Sequence, residues 1–101
     1  MTELITNLQK TINNLEKLRD SQDCPPKGII LQLDKLYQQK LELIRAEIAS
    51  EIEKYRSASA SMEEAAKITK EAIDKIEKVD KAIEKVAEAT GKIAPLIAKI
   101  I

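Results

Sequence analysis

The chain has 101 residues, 44 % apolar and 34 % charged, with 17 basic and 17 acidic side chains and a formal net charge of zero. That apolar content excludes a chain disordered for want of a core, and the length suits one domain. Zero net charge argues against nucleic acid, which selects a basic excess, and two Gly, three Pro and two Tyr are too few to punctuate or fill a β sandwich or barrel.

The expected fold class is therefore all-α: an elongated antiparallel bundle of three helices with coiled-coil-like packing, one domain over residues 1–101. A first helix is predicted from about Glu3 to Asp20, with Thr2 as its cap and Glu3 at the positive end of the dipole. Ile5, Leu8, Ile12 and Leu15 form its stripe, Leu4 and Leu18 flank it, and Asn7, Asn13, Asn14 and Lys17 face outward. Residues 21–28, with Cys24, Pro25, Pro26 and Gly28, read as a loop because consecutive prolines cannot sit inside a helix. Asp23 is a candidate cap for the second helix.

The second helix is expected over about 29–56. Its stripe reads Ile30, Leu33, Tyr37, Leu41, Ile44, Ile48, Ile52, Tyr55, and Ile29, Leu31, Leu36 and Leu43 widen it beyond what one short neighbour covers. The excess asks for a further partner helix. Ser61 and Glu64 make a capping-box pattern, so a break is expected at 57–61. A helix unbroken from Ile29 to Thr90 would be ~90 Å long and leave most of its seam bare.

A third helix is expected over about 62–90, on a heptad rhythm of Met62, Ala65, Thr69, Ala72, Ile76, Val79, Ile83, Val86 and Thr90 that continues into Ile93, Ile97 and Ile100. β-Branched residues at both seam positions point to three or more packed helices. Glu63/Lys67, Glu71/Lys75, Asp74/Lys78 and Glu77/Lys81 stand four apart and mark a solvated face. Ala66, Ala82, Ala87 and Ala89 are small enough for neighbouring helices to approach closely. Gly91 and Pro95 lie off the seam, so the apolar tail 91–101 is expected to kink there and pack or dock.

Chemistry is sparse. With no His there is no imidazole base, no Cys–His or Ser–His dyad and no Glu-x-x-His di-metal motif. Glu47/Glu51 and Glu84/Glu88 read as solvated helix faces. Lone Cys24 reads as an ordinary loop thiol rather than a redox site, and suits a reducing compartment. Lys78, Lys81 and Lys85 form a strip that Glu77, Glu84 and Glu88 interrupt. Tyr37 and Tyr55 are expected in the core with their hydroxyls at its rim.

No catalytic, cofactor-binding or metal-ligating residue is expected, no cofactor and no small-molecule substrate. The functional expectation is a non-enzymatic protein–protein interaction or assembly module: a helical adaptor, chaperone-like or antitoxin-type binder that self-associates or takes a protein partner in the cytoplasm. Ile93, Leu96, Ile97 and Ile100 are its candidate interface. The alternative is membrane association through residues 91–101, whose apolar run carries Lys92 and Lys99.

Overall fold

The computed structural model describes residues 2–21, 24–45 and 53–100, with side chains over 3–21, 24–44 and 53–96. Helix α1 (Thr2–Asp20) carries Glu3 in its first turn and Lys17 and Arg19 in its last, both favourable to its dipole. Leu4, Leu8, Ile12, Leu15 and Leu18 are all buried, so its apolar face is wider than the expected stripe and includes both flanks. Ser21 closes the helix, its amide donating to Lys17 O and its hydroxyl to Leu18 O, each at 3.0 Å.

Helix α2 (Lys27–Arg45) starts directly after the two prolines, where the Ile29 amide donates to Pro26 O at 3.0 Å. Its expected extension to residue 56 does not hold, since residues 53–56 belong to helix α3 (Glu53–Asp74), which runs in the opposite direction. The candidate cap Asp23 and the connection 46–52 lie outside the described residues.

The expected break at 57–61 is corrected. The α3 helix passes unbroken through Ser57, Ser59 and Ser61, and Tyr55, Ala58 and Met62 are buried in step along it. Continuing that seam outweighs the local capping signal.

The reversal falls instead inside the expected third helix, at Lys75, whose backbone is extended (φ −131°, ψ 100°). A 3-10 turn, Ile76–Lys78, follows, and helix α4 (Val79–Ile100) runs back along α3. No Gly or Pro marks the site. The Lys78 amide donates to Lys75 O at 3.0 Å and the Val79 amide to Ile76 O, so the turn satisfies its own backbone. Reversal here leaves Ala72 and Val79 buried on either side and turns Ile76 outward, 74 % exposed although it occupies a heptad seam position.

Four helices, not three, thus make up the described fold. Hydrogen bonds give their directions. Thr6 and Lys10 line a cleft with Glu63 while Asn14 reaches Ala66 and Thr69, setting α1 parallel to α3; Tyr37 with Glu16 and Lys40 with Gln9 set α2 antiparallel to α1. Gln39 and Gln32 both meet Thr90, and Gly28 meets Ile83, setting α2 parallel to α4. Each helix packs on two others, in the ring α1–α2–α4–α3. The expected elongated shape is corrected to a compact one, 39 × 19 × 17 Å with a radius of gyration of 13.1 Å, about that of a globular chain of this length.

The core is aliphatic, with small residues between larger ones. Ala58, Ala65, Ala72, Ala82 and Ala89 are buried among Leu8, Leu15, Met62, Val86 and Ile93. Ala87 is exposed, unlike the other seam-flanking alanines. The α4 helix continues through Gly91 and Pro95, both exposed, and Ile93 and Leu96 between and beyond them are buried in the core.

Ion pairing departs from the sequence pattern for the same reason. Asp74/Lys78 straddles the reversal, Glu71/Lys75 ends on it, and Glu77/Lys81 starts inside the 3-10 turn, so the four-residue spacing no longer runs along one helix. Glu71 pairs instead with Lys78 across it at 3.3 Å, and Lys85 bridges from α4 to Glu64 on α3 and to Glu88, each at 3.5 Å.

Candidate interaction surface

Helix α2 is apolar on two sides. Ile29, Leu33, Leu36 and Leu43 are at most 2 % exposed and face the bundle. At 100° per residue, Ile30, Tyr37, Leu41 and Ile44 fall on one arc about 100° away, and they are 38–59 % exposed. Apolar spacing alone makes this second set, with Leu33, the seam and Ile29, Leu36 and Leu43 its margin; the structure keeps Leu33 inside and reverses the rest. Leu31, also exposed, lies further round the helix.

The exposed stripe borders α1. The Tyr37 hydroxyl donates to Glu16 Oε2 at 2.6 Å, and Lys40 Nζ donates to Gln9 Oε1, so polar bonds tie the two helices along one edge of the stripe. Tyr37 is therefore not the core residue expected, whereas Tyr55 is buried. At the upper end the stripe opens into a groove of about 480 Å³ between Arg19, Pro25, Lys27, Ile30, Asp34 and Tyr37.

The charges around the stripe have both signs. Glu16 holds the Tyr37 phenol above its ordinary pKa by accepting its proton in a hydrogen bond, with burial adding to the effect. The Arg19 guanidinium is held further above its usual value chiefly by Asp20, 3.0 Å away. Lys85, on the opposite side of the bundle, is raised by Glu64 and then Glu88.

Of the sequence-predicted interface, Ile93 and Leu96 lie in the core of the single chain, at 0 % and 4 % exposure. Ile97 and Ile100 belong to α4, but their side chains fall outside those described. The structure thus brings Ile93 and Leu96 together inside the bundle rather than on its surface. The sequence did carry a signal for the α2 stripe, an apolar excess too wide for one neighbour; what it lacked was which half faces out.

A second cleft, about 510 Å³, runs between α1 and α3 and is polar, with Lys10, Lys17, Lys67 and Lys70 around Asn14 and Glu63. Asn14 is half-buried there rather than outward, donating to Ala66 O and Thr69 Oγ1 at 3.1 Å each. A polar seam between α2 and α4 fixes their register: Gln39 Nε2 donates to Thr90 O at 2.9 Å, and Thr90 Oγ1 lies 3.3 Å from Gln32 Oε1. Cys24 is exposed and unpaired by disulfide.

Among the described residues no group of three or more His, Cys, Asp or Glu is placed to hold a metal ion, and no helix is long and apolar enough to cross a membrane. Comparison with protein-family models, with curated proteins and with solved structures gives no match to this chain.

Proposed function

We propose that the chain is a non-enzymatic protein–protein interaction or assembly module, in the manner of a helical adaptor, chaperone-like or antitoxin-type binder, and that it engages its partner through the outer face of α2. One observation supports this above the rest: Ile30, Tyr37, Leu41 and Ile44 share a stripe and are all more than a third exposed. Single exposed apolar residues are ordinary, but a contiguous row beside a polar edge is characteristic of interaction sites. Covering each of these half-exposed side chains contributes on the order of 1 kcal/mol, about 4 kcal/mol over the four, the scale of a weak, reversible contact.

A membrane-associating role for residues 91–101 has less support, because the buried Ile93 and Leu96 take apolar side chains away from it. A cytoplasmic setting belongs to the same proposal, resting on the free thiol of Cys24.

The test is mass by light scattering together with affinity capture, comparing the intact chain with Leu41→Glu. The expected result is a self-associated or partner-bound species that the substitution abolishes. A strict monomer that retains no partner, or a complex indifferent to the substitution, would overturn the reading.

A further inference from the structure

We infer that the outer face of α2 is covered by the same face of a second copy of this chain, the two helices antiparallel about a two-fold axis at Tyr37. The inference rests on the proposed interaction role and names its partner.

Three of the four stripe residues, Ile30, Tyr37 and Ile44, are self-complementary. Ile30 and Ile44 each stand seven residues from Tyr37, about 10.5 Å along the helix. An axis at Tyr37 therefore lays Ile30 of one copy on Ile44 of the other, with Leu41 of each beside it. Closed two-fold contacts of this kind use one patch twice.

Charge favours the same occupant. Glu16 and Arg19 sit one turn apart on α1 beside Tyr37, with Arg19 towards the Ile30 end of the stripe. The axis brings the two Glu16 carboxylates together beside Tyr37 and sets one Arg19 on either side of them, so each guanidinium flanks the acidic pair. The antiparallel arrangement also opposes the two helix dipoles. A parallel pairing would bring Lys27 and Arg19 of both copies together, like against like. An anionic membrane surface asks for a basic rim, and this rim has Glu16 and Asp34 against Arg19 and Lys27.

Size sets the strength. The chain exposes 6164 Å² at 11.3 kDa, near the ~5,700 Å² of a compact monomer of that mass, so each copy folds before it pairs. A contact along one helix of about 28 Å belongs at the low end of interface sizes, under ~1,200 Å² in total. The dimer is reversible and depends on concentration.

Sedimentation equilibrium from low micromolar to near-millimolar chain tests this. The weight-average mass should rise from 11.3 kDa towards twice that value, and Leu41→Glu or Ile44→Glu should hold it at the monomer. In a Cys24→Ser background, Tyr37→Cys should form an interchain disulfide on mild oxidation and Lys81→Cys, on α4, should not. A monomer at every concentration, or a dimer that both glutamate variants leave intact, overturns the inference. If the chain stays monomeric yet captures a different protein in a Leu41-dependent way, the second copy is ruled out while the interaction role stands. If neither occurs, both fail.

Discussion

Gly28 on α2 lies so close to Ile83 on α4 that a methyl group built on it would stand 2.9 Å from Ile83 Cγ2. The missing side chain lets the start of α2 approach α4, and the polar seam of Gln32, Gln39 and Thr90 continues that contact down the pair. Gly91, by contrast, has nothing within 4 Å of the same built atom.

The two glycines should therefore respond oppositely to alanine. At Gly28 the clash forces Ile83 to move, and overpacking costs ~1–3 kcal/mol, more than the helix-propensity gain of ~1 kcal/mol. At Gly91, inside α4 with open space around it, only the gain remains. Denaturant melts should show Gly28→Ala less stable than the parent and Gly91→Ala more stable by ~0.5–1 kcal/mol.

The α1–α3 contact turns on Asn14. Its amide donates to Ala66 O and Thr69 Oγ1, and Thr69, fully buried, donates in turn to Ala65 O at 2.7 Å. Asn14→Ala removes two donors from a partly buried site and should cost ~1–3 kcal/mol. Asn13→Ala, exposed and bonded only to Gln9 on its own helix, should change the melting midpoint little.

Tyr37 gives the pH dependence. Its folded pKa is raised above the unfolded value by the bond to Glu16 and by burial. The protonated phenol is thus the favoured folded form, and its stabilising contribution is complete below the ordinary phenol value and lost as pH rises through the folded one. Ultraviolet titration of a Tyr55→Phe chain should show its one remaining phenol ionising later than free tyrosine. Glu16→Gln should bring it back down; an unchanged titration in that variant would remove Glu16 as the cause.

Helices were legible in the sequence because apolar spacing alone carries them, and α1 matches its expected span closely. The position of the reversal was not. Ser61 and Glu64 carry a standard start signal that α3 ignores, while Lys75 has none and takes an extended conformation. What selects Lys75 is the mating of two long seams, a tertiary gain with no local signature. The same holds for α2, where two apolar sets differ by about 100° of rotation. Neither is more hydrophobic in any way that decides between them; the rotation observed is the one that brings Gly28 against Ile83 and Gln32 and Gln39 onto Thr90. The sequence points to the tail because apolar positions continue past Gly91 and Pro95, but α4 runs through both and buries Ile93 and Leu96.

The two-sidedness of α2 predicts a sharp contrast in truncation. Leu36→Ala, in the core, should cost ~2–5 kcal/mol. Leu41→Ala, on the outer face, should stay within ~0.5 kcal/mol at dilution. Equal losses would mean that both sides of the helix are internal.

The most direct measurement is thiol reactivity along α2 in a Cys24→Ser chain, with single cysteines at positions 36, 43, 37, 41 and 44. In dilute solution, cysteines replacing Tyr37, Leu41 and Ile44 should react at rates near those of an exposed thiol, while those replacing Leu36 and Leu43 stay protected. Fast labelling at 36 and 43 with protection at 37, 41 and 44 would reverse the assignment of the two faces and contradict the account.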